Sequence, residues 1–165
     1  MNEKMSLKGR FQIEHIRDGV VLQKIDQPNG ITDVGLNKIL DVMFHGITAI
    51  GTWYVGLIDN ASYSTLAAGD TMASHAGWIE CIAYDEGTRS EWTEGAAAAK
   101  SITNATALTF TMNASKTIKG IFVSSASDKS GATGTLWSTA AFGSTVTVVS
   151  GDLLKITYTV TASEV

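Results

Sequence analysis

The sequence predicts an all-β protein: a jelly-roll-like antiparallel β-sandwich with one amphipathic helix and an N-terminal arm. Three observations carry that expectation. First, residues 107–161 hold one alternating run after another. Leu108, Phe110 and Met112 alternate with Thr109, Thr111 and Asn113, and Leu154, Ile156, Tyr158 and Val160 alternate with Lys155, Thr157, Thr159 and Thr161. Such alternation puts every second side chain on one face of a sheet. Second, clusters of turn residues such as Asn113-Ala114-Ser115 and Ser150-Gly151-Asp152 separate the runs, the pattern of a sandwich or barrel. Third, just one segment has convincing helical spacing. A chain of 165 residues is about one domain and can bury a core without disulfides or metal.

The elements follow in order. Residues 1–8 are polar and read as a mobile or partner-bound arm, leaving 9–165 as one domain. Phe11, Ile13 and His15 alternate with Gln12, Glu14 and Ile16, and Val20 to Ile25 make a second strand. Between them Asp18-Gly19 signals a tight hairpin, because Gly tolerates positive φ. Gln27-Pro28-Asn29-Gly30 breaks the sheet. The helix is expected at about 32–45. Thr32 can cap it, Asp33 suits the positive end of its dipole, and Gly46 terminates it. Leu36, Ile39, Leu40, Met43 and Phe44 share one face, expected to plug an open end of the sandwich or cover a sheet. Gly35 weakens the start of this helix.

Residues 52–58 read as a central strand, apolar on both sides. Residues 59–77 are long for a loop, with one helical turn expected at 64–68. Residues 78–84 and 89–93 are strands around the turn Asp85-Glu86-Gly87, and the alanines 96–99 form a loop or edge segment. The remaining runs, around Ile118 to Val123, Leu136 and Val146 to Val149, bring the expected total to about eight to ten strands.

Composition narrows the function classes. Charged residues are 17% of the chain against roughly 25% on average, so the surface is neutral and suits wide contact with another protein. Seven acids and two bases fall in residues 51–100 and no basic patch exists, which argues against nucleic acid. Cys81 is alone and reads as a small core residue. Neither a secretory leader nor an apolar run of membrane-spanning length is present, so synthesis in a reducing cytoplasm is expected.

Motifs for chemistry are weak. His15, His45 and His75 lie too far apart for a local zinc pair. Glu80, Asp85, Glu86, Glu91 and Glu94 are acids without the fixed separation that glycoside hydrolysis needs. Asp59-Asn60 and Gly69-Asp70-Thr71 lack calcium-loop spacing and read as turns. There is no GxSxG elbow, and Gly131 to Gly134 lacks the Lys of a phosphate loop. Trp53, Trp78, Trp92, Trp137 and Tyr63 can form a sugar-stacking platform but read better as core. No enzyme activity, metal or cofactor is expected.

Several stretches taken in order carry a resemblance. They are Gly35-Leu36-Asn37-Lys38-Ile39-Leu40-Asp41-Val42-Met43-Phe44-His45-Gly46, Thr52-Trp53-Tyr54-Val55-Gly56-Leu57-Ile58-Asp59, and Ala67-Ala68-Gly69-Asp70-Thr71-Met72. Trp78 with Tyr84, Thr133-Gly134-Thr135-Leu136-Trp137-Ser138, and Val148-Val149-Ser150-Gly151-Asp152-Leu153-Leu154-Lys155-Ile156-Thr157-Tyr158 complete the set. Over about residues 9–161 this order resembles a family of small virion structural proteins of tailed bacteriophages. The resemblance implies a structural role in the particle, in a family whose members take head-decoration or tail and fibre positions. Together with the arm and the missing chemistry it leads to the expectation of a decoration or cement protein on the outside of the head, homo-oligomeric, with the major capsid protein and copies of itself as partners. The alternatives are a tail, collar or fibre protein of the virion, or a carbohydrate-binding module with a host surface glycan as partner. Neither nucleic acid nor membrane is an expected partner. The arm (Met5, Leu7, Arg10) and the tips of long loops (Tyr63, Leu66, Met72) are the expected contact residues.

Overall fold

A computed structural model describes residues 4–164. Two antiparallel sheets face each other across the core. The first contains β1 (Met5–Arg17), β2 (Val20–Pro28), β7 (Ser101–Thr103), β8 (Leu108–Thr111) and β11 (Leu153–Glu164). Its order is β2-β1-β11-β7, with β8 also paired to β11. The second contains β3 (Gly30–Ile31), β4 (Tyr54–Asp59), β5 (Ile79–Cys81), β6 (Ser90–Glu91), β9 (Lys116–Ser124) and β10 (Leu136–Val148). Its order is β3-β10-β9-β4-β5, with β6 also on β4. One helix, α1 (Asp33–Phe44), follows β3. The all-β sandwich with a single short helix is the architecture that the alternating runs predict.

Local chemistry sets these elements. Asp18 and Gly19 both take positive φ, 50° and 78°, and close the β1–β2 hairpin as a right-twisted two-residue turn requires. β4 is buried on both faces from Val55 to Asp59, as suits a strand between β9 on one side and β5 and β6 on the other. β10 is longer than its sequence suggests. Leu136 and Val146 belong to one strand whose register against β9 slips between Ala141 and Val146, so Gly143 and Ser144 bridge what alternation alone divides in two.

Three expectations are corrected. Met5–Lys8 is not an arm: it opens β1 and pairs with Thr161–Glu164 of β11, Met5 opposite Glu164. Met5 and Leu7 do alternate with Ser6 and Lys8, but the run is short and its ladder partner lies at residues 161–164, so no local turn signals the pairing. Residues 1–3 of the expected arm lie outside the described residues. No helical turn forms at 64–68. The Asp70 carboxylate instead accepts from Ala67 N (3.0 Å) and Trp78 Nε1 (2.9 Å), folding the long loop onto the body. Residues 82–84 leave the expected strand after Cys81, with Tyr84 making an isolated bridge to Met112.

The main core lies between the sheets, with Phe11, Phe110, Ile121, Phe142, Ile156 and Tyr158 among its members. Cys81 belongs to it, and burial pushes its thiol pKa up. A second cluster forms under the long loop from Ile58, Met72, Trp78, Phe122 and Leu136. Buried polar groups fasten the loops. Asp152, in the β10–β11 turn, meets His15 Nε2 at 2.7 Å and Val149 N at 2.9 Å, and takes a two-pronged contact from Arg17, both prongs 2.7 Å. The Arg17 guanidinium, helped by His15 and Val149 N, holds this carboxyl well below the usual carboxylate range against the opposing effect of burial. Arg89, itself buried, grips Glu80 through two 2.8 Å bonds and donates to the carbonyls of Ala126 and Gly131. The connection between β9 and β10 is thereby tied to the far edge of the second sheet.

Candidate interaction surface

The helix is anchored at its start and free along its side. Thr32 Oγ1 accepts from Gly35 N (3.1 Å) and donates to Leu136 O (2.5 Å), so one side chain both caps α1 and binds it to β10. Gly35 is buried against the same strand. A Cβ at this position would stand 2.6 Å from Trp137 O, so the residue that weakens helix propensity is the one that allows the close approach. Ile39 packs on the main core.

The rest of the apolar stripe faces outward. Leu36 is 43% exposed, Leu40 56%, Met43 67% and Phe44 81%. This corrects the expectation that the stripe covers a sheet or plugs an end. Spacing of i, i+4, i+7 and i+8 defines an apolar face, but the side turned to the body is the narrower one built from Gly35, Ile39 and Val42. Ile47, just past the helix, is exposed as well. A second exposed apolar run, Val20 to Leu22, sits at the tip of the β1–β2 hairpin on edge strand β2. The outer end of that edge carries the pairs Lys24–Glu14 and Arg10–Asp26, charges of the kind that discourage strand addition.

Between the helix and the end of the sandwich runs a trough made of two adjoining cavities of about 250 and 240 Å³. They share Ile39, Ile50, Trp53 and Trp137 as walls. The first is deepened by Trp92, Ile102 and Val160, and its one ionisable lining residue is Glu94. The second runs under Val42 and Met43, and its one ionisable lining residue is Lys38. Among the described residues neither Glu94 nor Lys38 has an ion pair or a side-chain hydrogen bond. The two adjoining cavities therefore each carry one ionisable residue, of opposite sign.

The expected contact residues are not brought together. Met5 and Leu7 sit on the β1–β11 ribbon, Met5 exposed and Leu7 partly packed on the core. Arg10 is engaged by Asp26 across the hairpin. Tyr63 and Leu66 pack on the second cluster, with the Lys119 ammonium 5.4 Å from the Tyr63 ring. Met72 is 3% exposed and belongs to the core rather than a loop tip. The physical reason is the Asp70 clasp, which turns the middle of the loop inward. Nor do the tryptophans form an exposed platform. Trp78 is buried beneath His75, stacked at 3.9 Å. The indole N–H groups of Trp92 and Trp137 donate to the Tyr158 carbonyl and hydroxyl. Trp53, tilted against Trp137 at 6.0 Å, is half-buried in the trough wall.

The three histidines serve three places: His15 at Asp152, His45 beside Asp41 at the helix end, and His75 on Trp78. The acids are likewise separated. Glu80 belongs to Arg89, the Glu86 carboxylate accepts from Thr111 N at 3.0 and 3.1 Å, and Asp59 takes Lys116 and Ala61 N. Among the described residues no three His, Cys, Asp or Glu side chains cluster as metal ligands, and no helix is long and apolar enough to cross a membrane. Sequence reasoning missed the trough because Trp53, Trp92 and Glu94 meet Ile39 and Lys38 only after the helix docks. The one advance signal was the Trp92–Glu94 pairing of indole and carboxylate on alternate positions. No protein-family model matches the chain, and no curated protein shows significant similarity to it.

Proposed function

We propose that this chain is a non-enzymatic structural protein of a tailed-phage virion, a decoration or cement protein that grips the major capsid protein and works in many copies. The observation that carries the reading is the outward apolar stripe of α1. Leu36, Leu40, Met43 and Phe44 leave a greasy ridge along the outer side of the helix. A ridge of this kind costs solubility in a free monomer and is characteristic of a docking face. Its i, i+4, i+7 spacing suits insertion into a partner's groove. Repetition of one modest contact at symmetry-related places on a shell gives high avidity without any single tight site. The ordered resemblance described above supplies the identity of the shell.

The test is the position of the protein in imaged intact particles, with its copy number from quantitative mass spectrometry of the same preparation. Density on the outer face of the head, in a stoichiometry set by the capsid lattice, supports the proposal. Density in the tail, collar or fibres moves the protein to another station in the virion. Absence from purified particles overturns it.

A further inference from the structure

The trough beside α1 has a chemistry of its own and shares only Met43 with the exposed stripe. Its first cavity is lined by Trp53, Trp92 and Trp137 together with Glu94, which has no ion pair among the described residues. Indole faces attract cations through their quadrupole, and the exposed Glu94 carboxylate adds a negative potential of the same preference. The second cavity, reached past Ile39 and Ile50, carries the opposite sign through Lys38. A trough whose two cavities carry opposite signs fixes not only what fits but in which direction.

We propose that the trough receives an extended segment of a partner protein, with an arginine or lysine side chain among the tryptophans and its head on Glu94. An acidic side chain two residues away, on the same face of the segment, lies beside Lys38, and the aliphatic stems of the two charged side chains rest on Ile39 and Ile50. The cavity volumes, about 250 and 240 Å³, suit one or two side chains each rather than a helix. This inference rests on the assembly role proposed above and names the chemistry of its partner. The stripe supplies area; the trough supplies selectivity, since a segment of reversed charge order would set like charges against each other in both cavities.

The experiment titrates the full chain with the blocked tripeptide acetyl-Arg-Val-Glu-amide and follows the tryptophan indole resonances by NMR. Trp78, buried in the second cluster, is the internal control. Expected are saturable shifts at Trp53 and Trp137 with Trp78 unmoved. Replacing Arg by the neutral isostere citrulline should weaken binding about fivefold, the scale of one partly exposed charge pair. Glu94→Gln should abolish the difference between the two peptides. Glu94 is exposed, so that variant keeps the fold. The double variant Glu94→Lys/Lys38→Glu should prefer acetyl-Glu-Val-Arg-amide instead.

Equal binding of the Arg and citrulline peptides, shifts spread equally to Trp78, or no shift at tens of millimolar peptide would each overturn the inference. Free argininamide binding as tightly as the tripeptide would do so too, by showing a small-cation site. These readouts use no particle. If the protein decorates heads and Glu94→Gln still binds them at full strength, the trough inference fails while the structural role stands.

Discussion

The indole of Trp137 donates its Nε1 hydrogen to the Tyr158 hydroxyl at 2.8 Å, joining β10 of one sheet to β11 of the other through the middle of the core. Asn29 Nδ2 donates to the same hydroxyl at 2.8 Å, and Ser138 Oγ lies 3.3 Å away to take its proton. Gly9 makes room for this cluster: a Cβ there would stand 2.4 Å from the Asn29 amide and 2.6 Å from the Tyr158 oxygen. A buried hydroxyl thus fixes how the sheets face each other, beyond what apolar contact specifies.

Tyr158→Phe keeps the ring stack on Phe11 but leaves the indole and amide donors without an acceptor. A loss of about 2 kcal/mol is expected, read as a lower urea midpoint with unchanged slope. The wild type should also lose stability in alkali. Burial pushes the Tyr158 pKa up to about 12, so the native state holds the proton more tightly than the unfolded chain. That contribution is complete below a pH of about 10, the ordinary tyrosine value, and disappears as pH rises through about 12. The Phe variant should show a shallower alkaline decline, with buried Tyr84, raised as well, accounting for the remainder.

Gly35→Ala sets two effects against each other. Helix propensity favours Ala by up to about 1 kcal/mol. The new methyl, however, meets Trp137 O at 2.6 Å, a backbone atom that cannot swing aside. Steric conflict should win, giving a lower melting temperature and altered Trp53 and Trp137 fluorescence as α1 lifts from β10. A more stable Ala variant would show that helix propensity outweighs this contact.

Arg89→Met should be the most damaging single change away from the apolar core. It strands the buried Glu80 carboxylate, leaving it with Ser130 N alone, and frees the carbonyls of Ala126 and Gly131. Breaking a buried pair from one side costs about 3–5 kcal/mol. Adding Glu80→Gln should recover part of that loss. Native-state hydrogen exchange should quicken across residues 125–135 before it does elsewhere.

Acid should loosen the β10–β11 turn. Because Arg17, His15 and Val149 N hold the folded Asp152 carboxyl below its ordinary value, its contribution is fully present above a pH of about 4, the unfolded value. It fades as pH falls below that, toward the depressed folded value. Asp152→Asn should lower stability at neutral pH and flatten the acid side of the stability profile. An unchanged slope would show that other carboxylates govern acid unfolding.

Leu40→Lys and Met43→Lys should leave the free protein within about 0.5 kcal/mol of wild type, because both side chains face solvent. Association with particles should nevertheless fall by at least an order of magnitude if the stripe docks as proposed. Sedimentation with shells measures one quantity and thermal melting the other. Equal loss in both would reduce the stripe to a structural role.

The sheets were legible because alternation over β8 and β11, Asp18-Gly19 and the Thr32 cap are local signals that tertiary structure did not override. What stayed hidden depends on partners distant in the chain. The spacing of Leu36, Leu40, Met43 and Phe44 reveals a common face but not whether anything covers it. Met72 looked like a loop tip because nothing nearby says that Asp70 clasps Trp78 and turns the loop inward. Met5–Lys8 looked like a tail because their pairing partner is the far end of the chain, and Glu94 gave no hint that Lys38 would line the adjoining cavity.

The pairing of Met5 with Glu164 and onward through His15 with Leu154 has a consequence for biosynthesis. While the ribosome is still at work, β1 has β2 on one flank and bare amide and carbonyl groups on the other, awaiting a strand from much later in the chain. Closing so distant a ladder is slow, and the naked flank invites neighbouring nascent chains. A chaperone that shields β1 until β11 has emerged would raise the yield of folded protein, whereas changes confined to α1 would leave that yield untouched.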